Sequence, residues 1–126
     1  MAAANLRLYE IGARSTDVFG RVLCNTRDQH FVVDGPVQNG CPGEAVTPAE
    51  VFLAGVAACG VELVQVFARE EALPLKAVRV SALGEMDPDN PVRPDVRVFN
   101  RVQIGFELDG VTREQGDHLV ERFKGR

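Results

Sequence analysis

The sequence lacks what several common function classes require. It has no surplus of positive charge, since 14 lysines and arginines stand against 18 acids for a formal net charge of -4. No basic stripe is therefore available to hold a phosphate backbone, and nucleic acid is not an expected partner. The N-terminal run from Met1 to Leu6 passes straight into the charged, alternating stretch Asn5-Leu6-Arg7-Leu8-Tyr9-Glu10. It has no continuous apolar segment of the signal-peptide kind, and it reads as the start of a cytosolic protein. Cysteine is scarce: the three thiols at positions 24, 41 and 59 cannot all pair, and their spacing matches no common zinc arrangement. Free thiols in a reducing compartment are expected, with no metal and no cofactor. Cys24, His30 and Cys41 would draw two ligands from separated strands and one from a loop, while His30 and His118 read as structural or solvated residues. Internal repeats and low-complexity segments are absent as well.

What remains is the composition of an ordinary globular chain, 45% hydrophobic and 25% charged over 126 residues. That length suits one domain, residues 1–126, with one core. Its first half reads as short strands: Leu6 to Ile11 on the two-residue apolar alternation, Gly20 to Cys24, and Gln29 to Asp34 closed by Gly35-Pro36. A loop, Val37 to Val46, follows. After the central helix come a strand from Leu75 to Leu83 and a proline-bearing loop, Gly84 to Asp95. A second strand has Val96, Val98, Val102, Ile104, Phe106 and Leu108 on even positions, interrupted by Asn100. Asp109-Gly110 turns the chain into an amphipathic helix opened by the capping box Thr112/Gln115 and carrying Leu119, Val120 and Phe123. Strands, helix, strands, helix is an α+β order rather than βαβ alternation.

The central helix has the clearest start signal. Thr47 caps, Pro48 suits the first helical position, and Glu50 completes a capping box. From Val51 to Ala68 the run is apolar on almost every face, broken only by Glu62 and Gln65. Such a helix belongs inside a protein or a membrane. Its marginal spanning length, the internal Glu62 and the cap in place of an interfacial anchor favour a protein core over a membrane. The small residues Ala54, Gly55, Ala57, Ala58 and Gly60 let another backbone approach closely. A chain of 126 residues can hardly cover every side of this helix, so a homodimer is expected.

The stretch Thr47-Pro48-Ala49-Glu50-Val51-Phe52-Leu53-Ala54-Gly55-Val56-Ala57-Ala58-Cys59 resembles the helix signature of the OsmC/Ohr family of thiol-dependent hydroperoxide reductases. The resemblance runs back through Phe31-Val32-Val33-Asp34-Gly35-Pro36 and forward, as order and pattern, to Phe123. It implies an OsmC-like fold with antiparallel sheets around a buried central helix in an intertwined homodimer. It implies that Cys59 attacks a hydroperoxide oxygen and becomes a sulfenic acid, with an arginine and a glutamate organising the thiolate. By position, Cys59 matches the attacking cysteine and Glu50 the glutamate. Arg14, after Gly12-Ala13, fits the arginine of the hydroperoxide-reductase branch, with Arg21 and Arg27 as alternatives. In the other branch the arginine precedes the helix, where Val37 to Val46 has none. The family's second cysteine falls just after the last helix, about where this sequence reaches Arg126. Without it, a small thiol, a protein thiol, Cys24 or Cys41 would have to reduce Cys59.

The chemistry sets its own demands. A free thiol of pKa about 8.5 is mostly protonated at neutral pH, and a mid-helix cysteine gains nothing from the helix N-terminus, so a nearby guanidinium is required. Glu50 and Cys59 lie nine positions apart, on opposite faces and roughly 13 Å apart along the axis at about 100° and 1.5 Å per residue. Within one chain they should not touch; a partner helix could present its own Glu50. The expected function is reduction of organic hydroperoxides, alkyl or lipid ones given the apolar surroundings, in the response to oxidative stress. The rival reading is a dimeric binding or structural protein that keeps the fold and lacks the redox cycle.

Overall fold

The computed structural model describes residues 5–95 and 99–125. These form two compact units, Met1–Val51 and Phe52–Arg126. In the first, strands β1 (Gly12–Ser15), β2 (Arg21–Thr26) and β3 (Gln29–Asp34) make an antiparallel sheet in the order β1-β2-β3. The two residues Arg27 and Asp28 join β2 to β3, and Arg27 takes the left-handed conformation at φ 51°. This tight loop sets the register, pairing Thr26 with Gln29 and therefore Arg21 with Asp34. Cys24, Val33 and Asp34 are buried.

The segment expected to be a strand at Leu6 to Ile11 is not one; the first strand begins at Gly12. Leu6, Leu8, Tyr9 and Ile11 are all exposed. The described chain offers this run no apolar face, and without burial an alternating pattern has nothing to stabilise it as a strand. Its recorded tie to the sheet is the Thr26 hydroxyl, which donates to the Glu10 carbonyl at 2.8 Å.

The second unit contains most of helix α1 (Pro48–Glu70), strands β4 (Ala77–Glu85) and β5 (Arg101–Asp109), and helix α2 (Arg113–Lys124). β4 and β5 pair antiparallel, with Val80 opposite Phe106 and Val78 opposite Leu108. Val64, Phe67 and Ala68 of α1 and Leu119 of α2 form the core, against which Val78, Phe106 and Leu108 pack. Full burial of a side chain such as Leu119 stabilises by about 1.5–3 kcal/mol. At Gly60 α1 lies close against the sheet: a Cβ there would meet the Phe106 ring at 3.3 Å. Gly55, by contrast, faces open space.

β5 begins after Asn100, and the side chain of Asn100 explains the polar interruption. It accepts from the Asp87 N–H at 2.8 Å and donates to the Asn90 carbonyl at 2.6 Å, tying down the loop before the strand. Val96 and Val98 lie outside the described residues. α2 opens with the expected capping box, Gln115 N–H donating to the Thr112 hydroxyl and Thr112 N–H to the Gln115 side chain.

α1 ends in the six-residue closure typical of helix C-termini. Leu73 N–H donates to the Ala68 carbonyl at 2.8 Å and Ala72 N–H to the Arg69 carbonyl at 3.2 Å, with Ala72 left-handed at φ 54°. Pro74 then prevents continuation. One chain buries this helix only along its second half, at Gly60, Val64, Phe67 and Ala68. Phe52, Ala54, Gly55, Ala58 and Cys59 stay exposed, the shortfall that the apolar run implied. By length and composition α1 could also cross a membrane.

Candidate functional site

Position 59 places its thiol in the middle of α1, eleven residues after Pro48, so the helix N-terminus is too far away to act on it. Cys59 is exposed and free, on the side of the helix its own chain leaves open. The other two thiols are also free but less accessible. Cys24 is buried on β2, and the Cys41 sulfur sits against the backbones of Gly20 and Gly35, where a Cβ on either glycine would strike it.

Glu50 lies in the first turn of α1, and its carboxylate accepts from the Thr47 N–H at 2.9 Å while its own N–H approaches the Thr47 hydroxyl at 3.5 Å. The capping box is therefore formed, and one carboxylate oxygen is committed to it. Arg14 stands in β1 opposite Leu23, exposed and, among the described residues, with no ion pair or side-chain hydrogen bond. Arg14 and Glu50 belong to the first unit and Cys59 to the second, and no hydrogen bond or ion pair joins Arg14 to Glu50.

Of the alternative arginines, Arg27 occupies the β2–β3 hairpin tip and is exposed. Arg21 is fully engaged. It grips Asp34 with two parallel bonds, Nε at 2.8 Å and a terminal nitrogen at 3.0 Å, and reaches Glu44 at 2.7 Å. Asp34 also accepts from the backbone N–H groups of Glu44 and Ala45, at 3.0 and 2.8 Å. The Arg21 guanidinium, then the Ala45 N–H, hold this buried carboxyl well below the usual carboxylate range. Asp34, then Glu44, raise the Arg21 guanidinium above its ordinary value.

This node organises the loop leading to α1, and the sequence reading passed over it. A signal was present. A two-residue hairpin centred on Arg27-Asp28 forces positions 21 and 34 opposite each other, and opposite charges at directly paired positions attract.

A second charged network ties the end of α1 to α2. Glu71 accepts from Arg122 at 2.7 Å and contacts the His118 ring nitrogen at 2.8 Å, and Arg122 also reaches Glu70 at 3.0 Å and lies 4.0 Å from the Phe67 ring centre. His118, then Arg122, lower the Glu71 carboxyl. His118 thus has a structural partner, whereas His30 is an exposed strand residue. Among the described residues no group of three or more His, Cys, Asp or Glu is placed to hold a metal ion.

No family model matches the sequence, and no curated protein matches it. Solved structures do. An OsmC-like protein from Mycoplasma pneumoniae superposes with a TM-score of 0.81 at 14% identity, over 96% of this chain and 83% of its own. An organic hydroperoxide resistance protein from Elizabethkingia anophelis gives 0.78 at 17% identity, over 97% and 84%. An organic hydroperoxide resistance protein OsmC from Legionella pneumophila gives 0.74 at 20% identity, over 95% and 84%. The α+β order, the antiparallel sheets and the central helix that carries Cys59 are therefore those of the fold shared by OsmC-like and organic hydroperoxide resistance proteins.

Proposed function

We propose that the chain reduces organic hydroperoxides in the response to oxidative stress, with Cys59 as the attacking thiol. The carrying observation is that Cys59 is free and exposed in the middle of an apolar helix, on a fold whose solved examples include organic hydroperoxide resistance proteins. The Cys59 thiolate attacks the terminal oxygen of ROOH, the O–O bond breaks, and the alkoxide leaves as ROH after taking a proton. Cys59 becomes a sulfenic acid. Two equivalents of a small-molecule or protein thiol then return it to the thiol, leaving as a disulfide with release of water. In this reading Arg14 supplies the cation, its guanidinium being uncommitted where that of Arg21 is taken by Asp34 and Glu44. Glu50 orients it. One observation favours a non-catalytic dimeric binding protein instead: a Glu50 oxygen is already occupied by the Thr47 N–H.

Brief treatment with cumene hydroperoxide followed by dimedone trapping and mass spectrometry separates the two. The adduct is expected at Cys59 first, because Cys24 is buried and Cys41 is wedged against two glycines. First modification at Cys24 or Cys41, or none at all, removes Cys59 from the role.

A homodimer is part of the same proposal. Leu6, Leu8, Tyr9 and Ile11 in the first unit, and Phe52 in the second, each expose more than half their surface in a single chain, apolar area that a second copy would cover. Sedimentation should show a dimer at micromolar concentration; a stable monomer, or a chain that partitions into vesicles, would overturn it.

A further inference from the structure

The connection from the buried Asp34 carboxylate to the start of α1 is short and stiff. Asp34 accepts from the N–H groups of Glu44 and Ala45 at 3.0 and 2.8 Å, and its own N–H donates to the Val46 carbonyl at 2.9 Å. Gly43 N–H donates to the Gly35 carbonyl at 3.1 Å, so each of residues 43–46 is bonded to Asp34 or to its neighbour. Only Thr47 separates this anchored stretch from Pro48, the first residue of α1. The proline ring fixes its own φ and confines the residue before it to extended backbone, which leaves few soft dihedrals between Val46 and the helix.

The helix start in turn sets the direction of Glu50. The Thr47 carbonyl accepts from Val51 N–H at 2.9 Å, which closes the first turn, and Thr47 N–H donates to Glu50 Oε1 at 2.9 Å. Among the described residues the other Glu50 oxygen has no partner, so the side chain is held by one oxygen and presents the second. We propose that Asp34 is a positioning residue for Glu50, aiming that second oxygen through the loop 44–46 and the Thr47 cap. The inference rests on the hydroperoxide reading, in which Glu50 orients the activating cation.

Asp34 is suited to this because it is itself immobile. Its side chain is wholly buried, Arg21 grips it with two parallel bonds at 2.8 and 3.0 Å, and the pairing of β2 with β3 sets the two residues opposite each other. A loop that had only to be tethered would need one such bond. Here three successive residues are fixed, up to the one that precedes the cap, and every residue from Arg21 to Glu50 in this chain of contacts belongs to the first unit.

Two measurements on the full chain test the proposal. The Thr47 amide resonance carries the mark of its bond to Glu50, read as the difference between the wild type and Glu50→Ala. Asp34→Asn should move this resonance most of the way to its Glu50→Ala position and leave the α2 amides, in the second unit, where they are. Asp34→Asn should also lower kcat/KM for cumene hydroperoxide, per folded chain, by about tenfold in the wild-type background and by less than about twofold in Glu50→Ala, since a residue acting through Glu50 then has nothing to act on. Arg21→Lys keeps a charge beside Asp34 but loses the two-pronged grip; it should repeat both effects at smaller size, and it serves if Asp34→Asn does not fold. An unmoved Thr47 resonance overturns the proposal, as does an equal loss of kcat/KM in both backgrounds, the pattern of a purely structural anchor. Wild-type kcat/KM in Glu50→Ala overturns it too, and a Thr47 resonance still shifted by Asp34→Asn would then place the fault in the catalytic role of Glu50 and not in its link to Asp34.

Discussion

Cys59→Ser should abolish hydroperoxide consumption and leave the fold standing. A serine hydroxyl is almost wholly protonated at neutral pH and is a far weaker nucleophile than a thiolate, so it cannot attack the O–O bond. Loss of a nucleophile is expected to lower turnover by about a thousandfold or more. Stability should barely move, within about 0.5 kcal/mol, because Cys59 is exposed and the thiol packs into no core. Cys24→Ser differs in kind: Cys24 is buried, so the added polarity costs stability without touching the exposed thiol. The measurements are peroxide consumption with a thiol reductant and urea midpoints for both variants. A Cys59→Ser chain that consumes cumene hydroperoxide at the wild-type rate would end the assignment.

Much of the fold was legible because its signals are local. β3 begins and ends where its alternation and the Gly35-Pro36 pair put it, and both capping boxes form the bonds that Thr47/Glu50 and Thr112/Gln115 announce. Leu6 to Ile11 shows the limit of such signals. Alternation records which side chains could face a core, and it says nothing about whether that core lies in the same chain. Asn100 shows another: a polar residue in an apolar run can mean an interrupted strand or a strand start, and only its bonds to Asp87 and Asn90 decide.

For the candidate site, the motif located Cys59, and the structure shows it exposed and free. The neighbours of the thiol were less legible, since an arginine in a sequence carries no mark of whether its charge is already spent. Arg21 and Arg14 look alike until pairing across β2 and β3 assigns Arg21 to Asp34.

Asp34→Asn should be the most damaging polar substitution in the first unit, with an effect that is full from about pH 5 upward and shrinks in acid. The wild-type carboxylate is wholly buried and accepts four hydrogen bonds, two from Arg21 and one each from the N–H groups of Glu44 and Ala45. An asparagine of the same shape has one acceptor oxygen and turns an N–H₂ toward donors, leaving Arg21 partly unpaired beside a buried amide. Glu44 cannot make up the loss, because it is largely exposed and an exposed pair contributes little. The sign of the pH dependence follows from the direction of the shift. The folded Asp34 carboxyl is held below its ordinary value, so between the two values the unfolded chain binds more protons and stability rises with pH. Its contribution is full above about pH 5, begins to fall near the ordinary value of about 3.9, and continues to fall below it. Glu71 and Asp87, also lowered, are present in both chains and cancel in the difference. Urea midpoints of wild type and Asp34→Asn should therefore lie far apart at about pH 7 and draw closer as pH falls below about 3.9, where the unfolded wild-type chain takes up a proton that the folded carboxyl does not. A gap that stays constant across that range would mean that the Arg21–Asp34 charge pair does not hold the loop, and that the hydrogen-bonding shape of the side chain alone does.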